Sequence, residues 1–364
     1  MPGVYISFPF CSQKCTYCNF ASGVLPKSLE GQYMEALRTE IVRHPWRWTP
    51  NTVYLGGGTP SQMDPEALES LLALIPWRPW AEATIEAAPG SINAEKAVAW
   101  RRSGLNRVSL GVQSFATREL ARTGRRHTAE TVEHDVACLR DVGFERINID
   151  LIAGLPGQTH ESWQHSLDWV EKLGPDHVSV YMLEVDEDSR LGRELLAGGS
   201  KYSAIDVPSD DLIVEFYEAA CDRLESLGIR QYEISNFARK GHESLHNLKY
   251  WRLEPYVGFG ADAHSFDGNQ RGQNVESALE YVNQMKERGN ALAESVVADL
   301  FSERFFVGLR MSEGIQPAPD EWRRFEEPIQ RFMNEGLLEK HGDFLRLTKQ
   351  GVLLSNEVFA EFVL

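Results

Sequence analysis

The segment Cys11-Ser12-Gln13-Lys14-Cys15-Thr16-Tyr17-Cys18 places three thiols in a C-x3-C-x2-C pattern directly after the apolar run Val4-Tyr5-Ile6-Ser7-Phe8. The thiols are too close together for a disulfide framework. A tetrahedral zinc site needs a fourth ligand nearby, and Asn19 and Phe20 follow instead. Three thiolates on an iron–sulfur cubane leave one iron without a protein ligand, so that a substrate or cofactor can coordinate there. The plain alternative is three incidental thiols on a loop.

Other polar groups stand where chemistry could use them. Gly56-Gly57-Gly58-Thr59-Pro60 is either a nucleotide-binding turn, with backbone amides and the Thr59 hydroxyl open to a ligand, or a loose strand exit. Glu86, Gln113, Arg125 and Asp150 are either solvated rim residues or ligand-binding groups. Asp150 stands in an otherwise apolar strand (Ile147, Ile149, Leu151, Ile152) and needs a partner, which a ligand hydroxyl or amine would supply. His246-Asn247-Leu248-Lys249-Tyr250-Trp251 combines an imidazole with two adjacent large aromatics. It reads either as a helix start with His246 exposed, or as a haem site with an axial imidazole and apolar packing.

The elements that must position these residues alternate. Strands are expected at 3–10, 52–55, 83–86, 107–113, 146–152 and 177–182. Helices are expected between them at 30–43, 65–75, 94–102, 129–142 and 161–173. Such alternation implies right-handed βαβ units and a parallel sheet. It does not by itself separate an open doubly wound sheet from a barrel. The polar residues favour the barrel, because the Cys loop, the glycine run, Glu86, Gln113 and Asp150 fall near C-terminal strand ends, which share one mouth there. The expected fold class is therefore α/β, a partial (β/α)6-type barrel over residues 1–205.

Residues 186–207, rich in Asp, Gly and Ser, read as a mobile loop. Residues 206–294 form an extension: a helix at 210–227, a strand at 231–235 and a glycine-interrupted stretch at 257–266. Residues 295–364 read as helices at 302–309 and 319–336, a hairpin turning at His341-Gly342-Asp343 and a closing helix. That is a winged-helix-like module. It holds eight Lys/Arg against twelve Asp/Glu, which suits packing better than DNA reading.

The chain has 364 residues, 42% of them hydrophobic, enough for a large domain and an appendage. A net charge of −16 argues against nucleic acid held through its phosphates. No stretch approaches a membrane span. Five Cys with no signal peptide ahead of them fit the reducing cytoplasm. Cys138 and Cys221 lie in helical patterns and read as small core residues.

Tyr5, the three Cys with Tyr17 before the last, and the glycine run resemble the radical S-adenosylmethionine (SAM) superfamily. More narrowly, the whole chain resembles the oxygen-independent coproporphyrinogen III oxidases and their sister group, the radical SAM haem chaperones of the HemW type. The resemblance implies a [4Fe-4S] cluster on Cys11, Cys15 and Cys18. It implies SAM held by Tyr5, Tyr17, Gly57, Gly58, Thr59, Glu86, Gln113, Arg125 and Asp150, and haem at His246, Asn247, Tyr250 and Trp251.

Three features lean toward the chaperones. The oxidases have a fourth Cys where this chain has Phe20, they carry an N-terminal segment ahead of the cluster strand, and the chaperones carry H-N-x-x-Y-W. The expectation is a haem chaperone that delivers haem to apo-haemoproteins, by family analogy those of the respiratory membrane. Peripheral membrane attachment and a homodimer are further expectations. The rivals are oxidative decarboxylation of coproporphyrinogen propionates, and a radical SAM reaction on another substrate.

Overall fold

The computed structural model describes residues 1–76 and 78–363. Six parallel strands, β1 (Gly3–Phe8), β2 (Thr52–Gly57), β3 (Glu82–Ala87), β4 (Arg107–Gln113), β5 (Arg146–Ala153) and β6 (His177–Met182), pair in sequential order. A doubly wound sheet would reverse its order at a switch point. Sequential order is that of a barrel, here open because β1 and β6 do not pair. Beyond β6 lie β8 (Asn236–Ala238) and then β7 (Arg230–Glu233). Beyond β1 lie β9 (Tyr256–Phe259), β10 (His264–Phe266), β11 (Gln270–Asn274) and β12 (Leu292–Val297), giving one twelve-stranded sheet.

Strand alternation sorts the two faces. Val4, Ile6, Val53, Leu55, Ile85, Val108, Leu110, Ile147, Ile149, Val178 and Val180 point outward and are buried under the helices. The inward positions are nearly all polar or glycine: Gly3, Tyr5 and Ser7, then Thr52, Tyr54 and Gly56, then Glu82, Thr84 and Glu86, then Arg107, Ser109 and Gly111, then Arg146, Asn148 and Asp150, then His177, Ser179 and Tyr181. The apolar face supplies the folding energy, and the polar face is left for a site.

Several expectations are corrected. A helix at Thr117–Thr123 precedes the expected one, which spans Ala129–Asp141. Residues 186–207 are ordered by a helix at Arg190–Leu196, capped by the Ser189 hydroxyl on the Gly192 amide (2.8 Å), and by a 3-10 turn at Lys201–Asp206. The long helix expected at 319–336 is two, Pro319–Arg324 and Glu326–Asn334, broken at Phe325, whose ring is buried in a second core. That core unites Phe305, Phe325, Ile329, Leu345, Val358 and Phe362 with Ile234 from the β7–β8 turn. The wing hairpin, β13 (Leu338–His341) with β14 (Phe344–Leu347), is where the sequence places it.

Candidate functional site at the two ends of the barrel

The cysteine loop leaves the C-terminal end of β1 and is pinned on three sides. Cys11 N donates to Gly23 O (2.9 Å), Thr16 N to Thr123 O (3.2 Å) and Leu191 N to Thr16 O (2.8 Å), while Arg190 reaches Lys14 O. The helix at Thr117–Thr123 and the segment expected as a mobile loop thus hold the thiols in place. Cys11, Cys15 and Cys18 are free and half-buried, and burial pushes the Cys18 thiol up. Among the described residues no three His, Cys, Asp or Glu side chains converge on a point for one ion. A cubane does not ask them to, since each thiolate binds a different iron. Cys138 and Cys221 sit in helices, partly buried against the main core.

The glycine run lies beside this loop. Gly58 N donates to Phe8 O (2.8 Å) and Thr59 N to Phe10 O (2.9 Å). A Cβ on Gly58 would come within 2.7 Å of both carbonyl oxygens, so only glycine lets the chain approach so closely. At Gly56 the missing side chain leaves the space where the Tyr5 hydroxyl and Glu86 Oε1 converge, each 3.1 Å from where a Cβ would stand. Tyr54 OH donates to Glu86 Oε1 (2.9 Å), and its ring stacks on Tyr5.

Burial, reinforced by Asp150, pushes the Glu86 carboxyl up to about 7. Burial also raises Asp150, which accepts from Asn148 Nδ2 (2.6 Å). Arg125 donates to Tyr17 OH (2.9 Å) and Gly111 O (2.6 Å). Gln113 ends β4 at φ +71°, a left-handed conformation costly for a non-glycine residue, and its buried side-chain oxygen has no partner among the described residues. An orphaned acceptor, two carboxylates and a glycine cradle in a half-open cleft next to three thiols fit the amine and hydroxyls of SAM.

The charge on Glu86 has a measurable consequence. Its folded-state value lies above the ordinary 4.5, so the folded chain binds the proton more tightly than the unfolded chain. This carboxylate therefore costs stability above pH 7, and the cost disappears as pH falls from 7 toward 4.5. Glu86→Gln should be more stable than the parent by about 1–3 kcal/mol at pH 8, with the difference gone near pH 4.5, as read by urea unfolding of the unliganded chain. The same substitution should weaken the SAM-induced change in the reduced-cluster spectrum.

The His-Asn-x-x-Tyr-Trp turn lies elsewhere. It forms the helix Leu245–Trp251, capped by Ser244, under the N-terminal ends of β2 and β3. Glu82, fully buried, accepts from Leu245 N (3.0 Å), His246 N (3.0 Å) and Ser244 Oγ (3.2 Å). His246 starts a helix as expected, but it is 0% exposed rather than solvated. Its Nδ1 meets Thr52 Oγ1 (2.9 Å) and its Nε2 meets Tyr250 OH (2.8 Å). Burial pushes the imidazole down to about 3, so it is neutral. As placed, neither ring nitrogen is free for iron. Asn247 and Trp251 are half-buried, and the Arg310 guanidinium lies over the Trp251 ring (4.8 Å).

The structure therefore gathers at the mouth the residues expected to hold a cluster and SAM, and sets the His246 turn in the floor. Tyr54 links the two ends, with its ring 5.3 Å from that of His246 and its hydroxyl on Glu86. Tyr54, Asn148, Ser109 and His177 were not singled out from sequence. Their signal is the alternation Thr-x-Tyr-x-Gly, Arg-x-Ser-x-Gly, Asn-x-Asp and His-x-Ser-x-Tyr, polar residues alternating with apolar ones.

Residues 5–170 match the radical SAM superfamily profile, and residues 298–354 match the HemN C-terminal domain. The heme chaperone HemW of Bacillus subtilis (strain 168) is 34% identical, with 100% of this chain and 99% of that protein covered. HemW of Mycobacterium tuberculosis (strain ATCC 25618 / H37Rv) is 35% identical over 98% of this chain and 93% of its own length. The solved coproporphyrinogen III oxidase HemN of Escherichia coli, a radical SAM enzyme, superposes with a TM-score of 0.85 over 99% of this chain and 90% of that one. At 24% identity it speaks for the fold. With both chains matched from end to end at the identity seen in Bacillus, this chain belongs to the HemW family of heme chaperones within the radical SAM superfamily.

Proposed function

We propose that the chain binds haem and passes it to apo-haemoproteins. The observation that carries this reading is Phe20. Where the resembling oxidases hold a fourth Cys, a phenyl ring stands 66% exposed on the cluster loop. The end-to-end likeness to proteins named heme chaperones supports it. Cys11, Cys15 and Cys18 would hold the [4Fe-4S] cluster. Tyr5, Tyr17, Gly57, Gly58, Thr59, Glu86, Gln113, Arg125 and Asp150 would orient SAM against it and restrict water. A reduced cluster held by the three thiolates would offer a low-potential electron there.

Haem ligation by His246 asks the floor helix to yield the Thr52 and Tyr250 hydroxyls. Each bond is worth about 1 kcal/mol, small beside an iron–imidazole bond. Asn247, Tyr250 and Trp251 would then pack the macrocycle. No helix among the described residues is long and apolar enough to cross a membrane. The reading places the chain in the cytoplasm, as a homodimer attached peripherally to the membrane whose apo-haemoproteins it loads.

The second reading, a coproporphyrinogen oxidase, draws on the same mouth residues as a proposed SAM cradle. Anaerobic incubation of the reconstituted protein with coproporphyrinogen III, SAM and reductant separates the two. The carrier yields no protoporphyrinogen, whereas steady conversion would establish the oxidase.

A further inference from the structure

Arg107 opens β4 with its side chain on the inner face of the barrel, and it is only 2% exposed. Of the other charged groups of that face, Glu82, Glu86 and Asp150 accept hydrogen bonds. Arg146, the register neighbour of Arg107 on β5, is ion-paired with Glu82 at 3.9 Å, although its buried Nη1 has no hydrogen-bond partner among the described residues. Arg107 lacks even such an ion pair. Among the described residues no carboxylate comes within the 4.0 Å of an ion pair to its guanidinium.

Its surroundings place it at the base of the cleft. In register it stands between Thr84 of β3 and Arg146 of β5, and two residues further along the same face of β4 Ser109 Oγ donates to Asp150 (3.4 Å). Above it the cleft is open: Tyr54, Glu86 and Asp150 are half-buried, and Tyr181 is 41% exposed. A buried cation with no close partner is costly, and a planar five-donor fork is matched by a carboxylate.

We propose that Arg107 is a carboxylate-binding residue inside the barrel that receives a propionate of haem. This rests on the haem-carrier reading. The carboxylate of SAM is a poor candidate, since with its amine it belongs at the open iron beside the cysteine loop. The Arg107 backbone lies about 20 Å below Gln113 along β4, at 3.3 Å per residue. Haem brings two carboxylates on short flexible arms. If its iron reaches the His246 turn, a propionate falls in the neighbourhood of Arg107, because His246 and Arg107 share the floor of the cleft.

The test titrates cluster-reconstituted protein with haem and with haem dimethyl ester, whose propionates are masked, following the Soret band. The parent should prefer haem over the ester by about tenfold or more. Arg107→Gln should weaken haem binding to the level of the ester and leave the ester unchanged. Arg107→Lys, which keeps the charge but loses the fork, should show an intermediate preference. The SAM-induced change in the reduced-cluster spectrum should persist in both.

Equal losses for haem and ester, or no loss for either, would overturn the assignment. So would a lost SAM response with haem binding intact, which would give the arginine to SAM. If Arg107→Gln fails to keep its cluster, the preference in Arg107→Lys decides, and an undiminished preference there counts against the fork. Failure of the carrier reading itself shows separately, as no saturable Soret change in the parent with either compound.

Discussion

Alanine at Cys11, Cys15 or Cys18 should abolish the cluster, while Cys138→Ala and Cys221→Ala should leave it whole. Three thiols on one pinned loop are the whole protein ligand set of the proposed site, so no neighbour can replace a lost one. Cys138 and Cys221 lie on helices that pack on the outside of the barrel, away from the loop. Anaerobic reconstitution should give about four irons and as many sulfides per chain in the parent and in the two helix variants. It should give close to none in the loop variants. Because the loop is tied by backbone bonds from Cys11, Thr16 and Leu191, losing one thiol should not unfold it. A cluster that survives Cys15→Ala would show that another ligand set is at work.

Glu82→Ala should cost about 3–4 kcal/mol of unfolding free energy, read as a lower urea midpoint. The carboxylate is fully buried and takes three donors at the start of the helix Leu245–Trp251. Alanine strands Ser244 Oγ and the amides of Leu245 and His246, and each unsatisfied buried donor costs about 1–3 kcal/mol, with partial relief from water. Glu82→Gln keeps one acceptor oxygen and should lose about half as much. Because this anchor sets the His246 turn in the floor, Glu82→Ala should also ease the opening that haem ligation requires. An unchanged midpoint in Glu82→Ala would mean that the helix is held by packing alone.

The six barrel strands were legible because each carries apolar residues at alternate positions between turn residues, and those outer residues are the core itself. The cysteine loop and the glycine run were legible because their spacing is local. The burial of His246 was not, because it depends on Glu82 and Thr52, far away in the chain. Asp150 was singled out as a carboxylate needing a partner, and Asn148, two residues before it on the same strand face, already supplies one. The order in 186–207 is not legible, since its contacts are made by Arg190 and Leu191 with the cysteine loop, while its composition resembles that of a free loop. Arg107 stayed hidden for the converse reason. The apolar outer residues dominate the strand pattern, and one inward cation gives no signal until the register puts it in a cleft.

The central claim is that this chain carries haem and gives it up. The direct measurement loads the reconstituted protein with one equivalent of haem, removes the excess and adds an apo-haemoprotein, following both Soret bands with time. The account predicts saturation near one haem per chain, then loss of the carrier band matched by growth of the acceptor's, faster than spontaneous release into buffer with a non-specific haem scavenger. Haem that never saturates, or that leaves no faster for the acceptor than for the scavenger, would contradict it.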